Sequence, residues 1–262
     1  MSESLVDYRV ENKVAVLELN NPPANSYNHE MMAALDACIL KARFDESVHV
    51  IVITGKGEKF FSGGADISML QSNGPAYLYN FGLHGNETLL RIENTPKLVI
   101  AAINGHAMGG GCEISLACDM RIAKAGKGKI GLPEVNLGVL PGMGGTQRLS
   151  RLIGAAKAME LMATGTAISM EQALEYGLVN HLFEEEGYWD SVMEFAGNFV
   201  PPKKASLSVG LIKRAVKSGR EMSLPDGLAL ERELLQRGFE SADSAEGLKA
   251  FLEKRAANFE GK

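Results

Sequence analysis

The sequence predicts an α/β fold, and three observations carry that expectation. Apolar, β-branched runs alternate with segments whose apolar residues recur at helical spacing. The apolar runs lead into glycine-rich turns, and the chain holds 29 glycines in 262 residues, above the usual share of about 7%. From Gly187 onward the chain reads almost wholly as helix.

Taken in order, Asp7 to Val10 and Val14 to Leu19 read as two short strands joined at Asn12, a residue suited to a tight turn. After Asn21-Pro22-Pro23, Met31, Met32, Leu35, Ile39 and Leu40 lie at helical spacing within Asn28 to Phe44, with Asn28 as N-cap. Val48 to Thr54 is nearly continuous and β-branched, the pattern of a strand covered on both faces. Gly63-Gly64 then precedes a helix around Asp66 to Leu70 and a longer one from Ala76 to Glu93. The strand Lys97 to Ile103 runs into Asn104-Gly105-His106 and Gly109-Gly110-Gly111, and Cys112 to Ala117 follows as helix. Met120 to Ala123 is a third apolar stretch, succeeded by a polar turn and by Ile130 to Leu140. Ala155 to Ala163 and Ser169 to Tyr176 read as helices, and Leu178 to Phe183 as a last strand. Three amphipathic helices close the chain, Lys203 to Lys217, Pro225 to Gly238 and Ala242 to Asn258. With no sheet of their own they are expected to pack on the core or on a neighbouring subunit. The chain is therefore divided into 1–198 and 199–262.

Composition narrows the function. The length allows one large domain, or one with a small appendage, and 45% hydrophobic with 23% charged residues is ample for a core. Lys plus Arg number 27 against 32 Asp plus Glu, a formal charge of −5, so binding to nucleic acid or to an anionic membrane is not expected. Cys38, Cys112 and Cys118 form no CxxC pair and have no metal-ligand spacing to histidine, which predicts neither a metal site nor a disulfide framework. Met1 to Tyr8 lacks a basic region followed by an apolar stretch, and no apolar run approaches the roughly 18 residues of a membrane span. A cytoplasmic location is expected.

The chemistry lies in the glycine clusters. In Phe61-Ser62-Gly63-Gly64-Ala65-Asp66-Ile67 the absent side chains let backbone N–H groups meet a ligand; a plain strand-to-helix turn reads the same way. Gly109-Gly110-Gly111-Cys112-Glu113 opens a helix, whose first turn offers unpaired N–H groups to an anion. Glu113 shares a helix face with Gly110, although a carboxylate there also simply complements the helix dipole. Glu134, flanked by Leu132, Val135 and Leu137 on a strand-like or turn segment, is either a carboxylate of raised pKa suited to general acid work or a solvated surface residue. Neither G-x-G-x-x-G nor G-x-x-x-x-G-K-[ST] occurs. Two backbone-donor turns with two glutamates point instead to an enolate-like oxyanion with proton transfer nearby.

These segments, with Leu132-Pro133-Glu134 through Pro141-Gly142-Met143-Gly144-Gly145-Thr146-Gln147-Arg148-Leu149 and Ser244-Ala245-Glu246-Gly247 through Ala250-Phe251-Leu252-Glu253-Lys254-Arg255, resemble the crotonase, or enoyl-CoA hydratase/isomerase, superfamily over nearly the full length. The resemblance implies a spiral of ββα turns with a helical carboxy-terminal trimerisation region, in trimers or hexamers. It implies an acyl-CoA substrate and no separate cofactor, coenzyme A being part of the substrate. By position Gly63 and Gly110 would form the oxyanion hole, Glu113 would take a proton from water attacking Cβ, and Glu134 would protonate Cα. Gly142 would help place the water, while Ala65, Asp66, Ile67, Phe251 and Lys254 would contact the CoA moiety, the last two from a neighbouring subunit or as an ordinary helix face. Residues 69–90 fall in the variable acyl-pocket segment. Gly63 stands where relatives often have alanine, Tyr27 replaces the usual leucine, and Asn136 is polar where an apolar residue is usual. Alternatives within this resemblance are a Δ3,Δ2-enoyl-CoA isomerase, a hydratase of a branched or cyclic acyl-CoA, and a non-catalytic RNA-binding relative.

Overall fold

A computed structural model describes residues 4–262; Met1, Ser2 and Glu3, part of the stretch read above for a leader, lie outside the described residues. The chain opens with a hairpin, β1 (Val6–Glu11) and β2 (Val14–Leu19), paired antiparallel. Asn12 and Lys13 at its tip have φ of 48° and 69°, the left-handed pair that matches a two-residue turn to strand twist. Helix α1 (His29–Phe44) starts where Asn28 accepts from the Met31 amide, satisfying one of the unpaired first-turn donors.

Three ββα turns follow. β3 (Val50–Gly55) and β4 (Phe60–Ser62) lead to α2 (Ile67–Ser72) and α3 (Pro75–Asn94). β5 (Leu98–Ile103) and β6 (His106–Met108) lead to α4 (Gly110–Ala117). β7 (Met120–Lys124) and β8 (Lys129–Gly131) lead to a 3-10 turn, Glu134–Leu137, then α5 (Gly145–Ile153) and α6 (Ala155–Thr164). After β9 (Ile168–Ser169), α7 (Met170–Glu175) and β10 (His181–Phe183) come four helices, α8 (Tyr188–Gly197), α9 (Ser206–Gly219), α10 (Leu224–Phe239) and α11 (Ala242–Leu252).

In each turn the first strand joins one sheet and the second joins another, which is the crotonase-like spiral. The larger sheet runs β1-β2-β3-β5-β7-β10, parallel beyond the opening hairpin, and the smaller runs β4-β6-β8-β9. Both faces of the larger sheet are covered. Ile51, Ile53, Val99, Ala101 and Ile103 pack with α1, whereas Val50, Val52, Leu98, Ile100 and Ala102 pack with Tyr188, Val192 and Ala196 of α8. Alternate residues thus enter two separate clusters, the physical origin of the uninterrupted apolar runs.

The structure adds to these expectations and changes some of them. The small sheet has no counterpart in the sequence reading, because strands of two or three residues are too short to show alternation. Ile130 to Leu140 divides into β8 and the 3-10 turn, so of the two readings for Glu134, strand-like or turn, the turn is the one found. Helix α5 was not anticipated. The last helix stops at Leu252, and Lys254 adopts φ of 55°, outside helical space.

Helix α9 docks through charge. Lys213, only 7% exposed, donates to the carbonyls of Ile92 and Lys97 at 2.9 and 3.0 Å and pairs with Asp119 at 2.8 Å. A buried ammonium needs that full set of partners. Helices α10 and α11 leave Leu224, Leu235, Phe239, Leu248, Phe251 and Leu252 exposed. No helix among the described residues is long and apolar enough to cross a membrane.

Candidate active site

Each glycine cluster lies where a strand of the small sheet ends, and the spiral stacks these ends side by side. Gly64 leaves β4 with φ of 92°, and a Cβ there would approach the Met108 carbonyl to 2.8 Å and the Gly110 nitrogen to 3.3 Å. Only glycine permits so close a contact in that conformation. The first two glycine turns are therefore in direct backbone contact.

Their amides are not equivalent. The Gly63 N–H donates to the Ala24 carbonyl at 2.7 Å, so its bonding capacity is spent inside the protein, and its expected place in the oxyanion hole is corrected. Ala65 forms a parallel bridge with Tyr27: Tyr27 donates to the Gly64 carbonyl and Asp66 donates to the Tyr27 carbonyl, each at 2.9 Å. This pattern turns the intervening Ala65 N–H to the other side, where no acceptor lies among the described residues. Gly110 is the first residue of α4, and its N–H is likewise without an acceptor, as the start of a helix requires. Ala65 and Gly110 thus each present a free donor on the adjoining turns.

Side chains hold the first turn in place. Ser62 donates to the Asn25 carbonyl at 2.8 Å and accepts from the Gly64 amide at 3.2 Å, while Asn25 donates to the Phe60 carbonyl at 2.9 Å. Asn104 spans the ends of β3 and β5, donating to the carbonyls of Gly55 and Gly57 at 2.8 and 2.6 Å.

Glu113 lies one helical turn beyond Gly110, 1% exposed. Its Oε1 accepts from the amides of Met143 and Gly145 at 2.8 and 2.7 Å. Burial raises its pKa, and these two amides, then the Arg148 charge, oppose the rise. A carboxylate with two backbone donors remains competent to ionise in an apolar setting. A Cβ on Gly145 would lie 3.0 Å from Oε1, so glycine at 145 admits the carboxylate. Arg148 braces the same loop. It donates to both oxygens of Glu93 at 3.1 and 2.7 Å and to the Met143 carbonyl at 2.8 Å.

Glu134 approaches from the 3-10 turn. A Cβ on Gly109 would lie 3.2 Å from its Oε1, which puts the carboxyl against the second glycine turn. Its Oε2 is enclosed and has no hydrogen-bond partner. Burial, with a smaller contribution from the Glu113 charge, pushes its pKa up to about 7. The two neighbouring carboxyls thus have different environments, one held by amides and one with an unpartnered oxygen, the kind of difference that separates an acid role from a base role.

The remaining sequence candidates divide. Gly142 lies on the loop that carries Met143; its carbonyl accepts from Asn86 at 3.2 Å, and its N–H has no acceptor among the described residues. The Asp66 carboxylate is occupied as the cap of α2, accepting from Ser68 and Met69 at 2.8 and 3.2 Å, and Ile67 is exposed. Phe251 is 82% exposed and Lys254 is exposed beyond the end of α11. Sequence reasoning missed the Met143 and Gly145 amides as ligands of Glu113 and the bracing by Arg148. The Gly144-Gly145 pair was the available signal. Among the described residues no group of three or more His, Cys, Asp or Glu is arranged to hold a metal ion.

Comparison with known proteins gives the same picture over the whole chain. The family described as enoyl-CoA hydratase/isomerase matches residues 9–262. A crotonyl-CoA hydratase of Syntrophomonas wolfei is 40% identical over 250 residues, 95% of each chain. A short-chain-enoyl-CoA hydratase of Clostridium acetobutylicum is 40% identical over 246 residues, covering 94% of this chain and 93% of that one. The crystal structure of an enoyl-CoA hydratase from Geobacillus kaustophilus superimposes with a TM-score of 0.97 at 41% identity, covering 100% of this chain and 98% of the other. A spiral fold, adjoining free amides and a carboxylate pair, together with these likenesses along the full chain, make it a member of the enoyl-CoA hydratase/isomerase family.

Proposed function

We propose that the protein is an enoyl-CoA hydratase, adding water across the α,β double bond of an acyl-CoA thioester. The observation that carries the reading is the closeness of Glu113 and Glu134, one charge raising the pKa of the other, with Glu134 packed against the glycine turn that bears the free Gly110 amide and adjoins that of Ala65. The thioester carbonyl accepts from both amides. Water, positioned with help from the Gly142 N–H, attacks Cβ and gives a proton to Glu113. The electron pair of the double bond moves to the thioester oxygen as an enolate, which the two amides stabilise. Glu134, protonated up to about pH 7, then delivers a proton to Cα. The net change is the addition of one water, and proton exchange with solvent resets both carboxyls.

Backbone donors suit this task because they are already aimed before charge develops. Removing one such donor costs about 10² to 10³ in rate in other enzymes. Asp66, Ile67, Phe251 and Lys254 contribute contacts to the CoA moiety, the last two across a subunit boundary. Residues 199–262 form an assembly region whose exposed leucines and Phe239 pack between copies in a trimer or a pair of trimers. Three free thiols accord with action in the cytoplasm.

The direct test follows the loss of conjugated-thioester absorbance of crotonyl-CoA. Wild-type protein turns it over, and Glu113→Gln and Glu134→Gln each slow it by orders of magnitude. Full activity in either variant removes the two-carboxylate mechanism. Product analysis with 2-enoyl and 3-enoyl substrates separates hydration from isomerisation, and light scattering on the eluting protein reports the assembly.

A further inference from the structure

Tyr27 is a polar side chain at this centre that the mechanism above leaves without a task. Its backbone flanks Ala65 through the two bonds already described, and its side chain crosses to the other donor. A Cβ on Gly110 would coincide with the Tyr27 hydroxyl and the adjoining ring carbons. The phenol oxygen therefore stands against the Cα of Gly110, beside the free N–H of that residue. The ring is held from behind by Phe81, stacked at 5.7 Å between centroids and 25° between planes, and the residue is 4% exposed.

The hydroxyl has no hydrogen-bond partner among the described residues, yet it is not sealed in, since it is absent from the fully enclosed unpartnered atoms, which do include Glu134 Oε2. A tyrosine buried to this degree ordinarily bonds its O–H to something. Gly110 lies against it, and Glu113 and Glu134 are close enough for their charges to act on it. Burial, and then the charges of Glu113 and Glu134, hold the phenol well above its ordinary pKa, so it stays a donor throughout the working range.

We propose that the Tyr27 hydroxyl is a third donor of the oxyanion hole, donating to the thioester oxygen of the acyl-CoA held at Gly110 and strengthening that bond as the enolate forms. The inference rests on the acyl-thioester reading given above. It adds a side-chain donor to a hole otherwise made of backbone. No covalent step passes through Tyr27; its proton remains on the phenol oxygen.

Tyr27→Phe tests this while keeping the ring and its stacking. Because the donor gains most when charge develops on the acceptor, kcat with crotonyl-CoA falls at least tenfold while KM stays within about threefold. A second readout needs no turnover. Acetoacetyl-CoA has an acidic α-carbon, and a site that stabilises enolates raises the enolate absorbance of the bound compound. That band weakens in Tyr27→Phe at unchanged melting temperature. A variant with kcat within twofold of wild type, or with slowed turnover but an undiminished enolate band, overturns the proposal. So does a pattern in which Tyr27→Leu is impaired and Tyr27→Phe is normal, since that assigns the residue to packing alone. If the wild-type chain hydrates no enoyl-CoA, the functional reading fails while the acetoacetyl-CoA comparison still decides the role of Tyr27.

Discussion

Replacing Gly145 by alanine perturbs Glu113 without touching it chemically. The added Cβ would lie 2.8 Å from Leu132 Cδ1 and 3.0 Å from both Glu113 Oε1 and Pro141 Cβ. Ordinary contacts begin near 3.5 Å, so three neighbours must each yield by about half an ångström. All three neighbours are buried, and the Glu113 carboxyl, as the end of a flexible side chain, shifts together with its bonds from Met143 and Gly145. A hydrogen bond to a charged group is worth about 1.5–3 kcal/mol, and each 1.36 kcal/mol is tenfold in rate. Loss of one such bond in the transition state therefore predicts a fall in kcat of about 10- to 150-fold. Stability changes less, because overpacking costs about 1–3 kcal/mol while alanine at the first position of a helix recovers up to about 1 kcal/mol over glycine. The pH profile supplies an internal check. The two amides lower the Glu113 pKa, so losing them raises it, and the acid limb of kcat/KM, where the base must be ionised, moves to higher pH. The assay is crotonyl-CoA hydration across pH with a melting curve alongside. Wild-type kcat with an unmoved acid limb would refute the claim that these amides hold the catalytic base.

Further expectations follow from the same contacts. In the proposed mechanism Glu134 acts while protonated, and its pKa of about 7 places an alkaline limb on kcat/KM near neutrality; Glu134→Gln abolishes that limb and lowers kcat by about 10²- to 10⁴-fold, and a limb persisting in the variant assigns it to another group. Lys213→Met breaks the buried pair with Asp119 and costs about 3–5 kcal/mol of stability, measured by urea unfolding; a loss below 1 kcal/mol shows that α9 does not depend on that pair. Arg148→Lys loses the two-pronged contact with Glu93 and lowers kcat more than it raises KM, since the loop it braces carries the amides of Glu113; equal effects on both parameters would contradict this.

Much of the fold was legible because local chemistry and tertiary environment agree. Asn28 caps α1 where the apolar spacing begins, Asn12 turns the first hairpin, and Val50 to Ile53 is apolar without interruption because both of its faces are covered. The small sheet was hidden, since β4, β6, β8 and β9 depend for their existence on one another and leave no periodicity in two or three residues. Glu113, Glu134 and Gly110 stood out as carboxylates and a bare amide among apolar neighbours. The choice between Gly63 and Ala65 could not be made in the same way. A glycine signals backbone access, but which N–H is spoken for depends on Ala24, nearly forty residues earlier.

The sequence by itself determined the alternation of strands and helices, the family, and the residue types available for chemistry, because these are set by local propensity and by motifs whose members are close along the chain. The tertiary structure decided which groups are free to act. It engages the Gly63 amide with Ala24, frees that of Ala65, anchors Glu113 on Met143 and Gly145, leaves Glu134 unpartnered, and brings the Tyr27 hydroxyl to Gly110. Hydrogen-bond capacity and burial belong to pairs of groups that meet only when distant segments fold together, and reactivity depends on both.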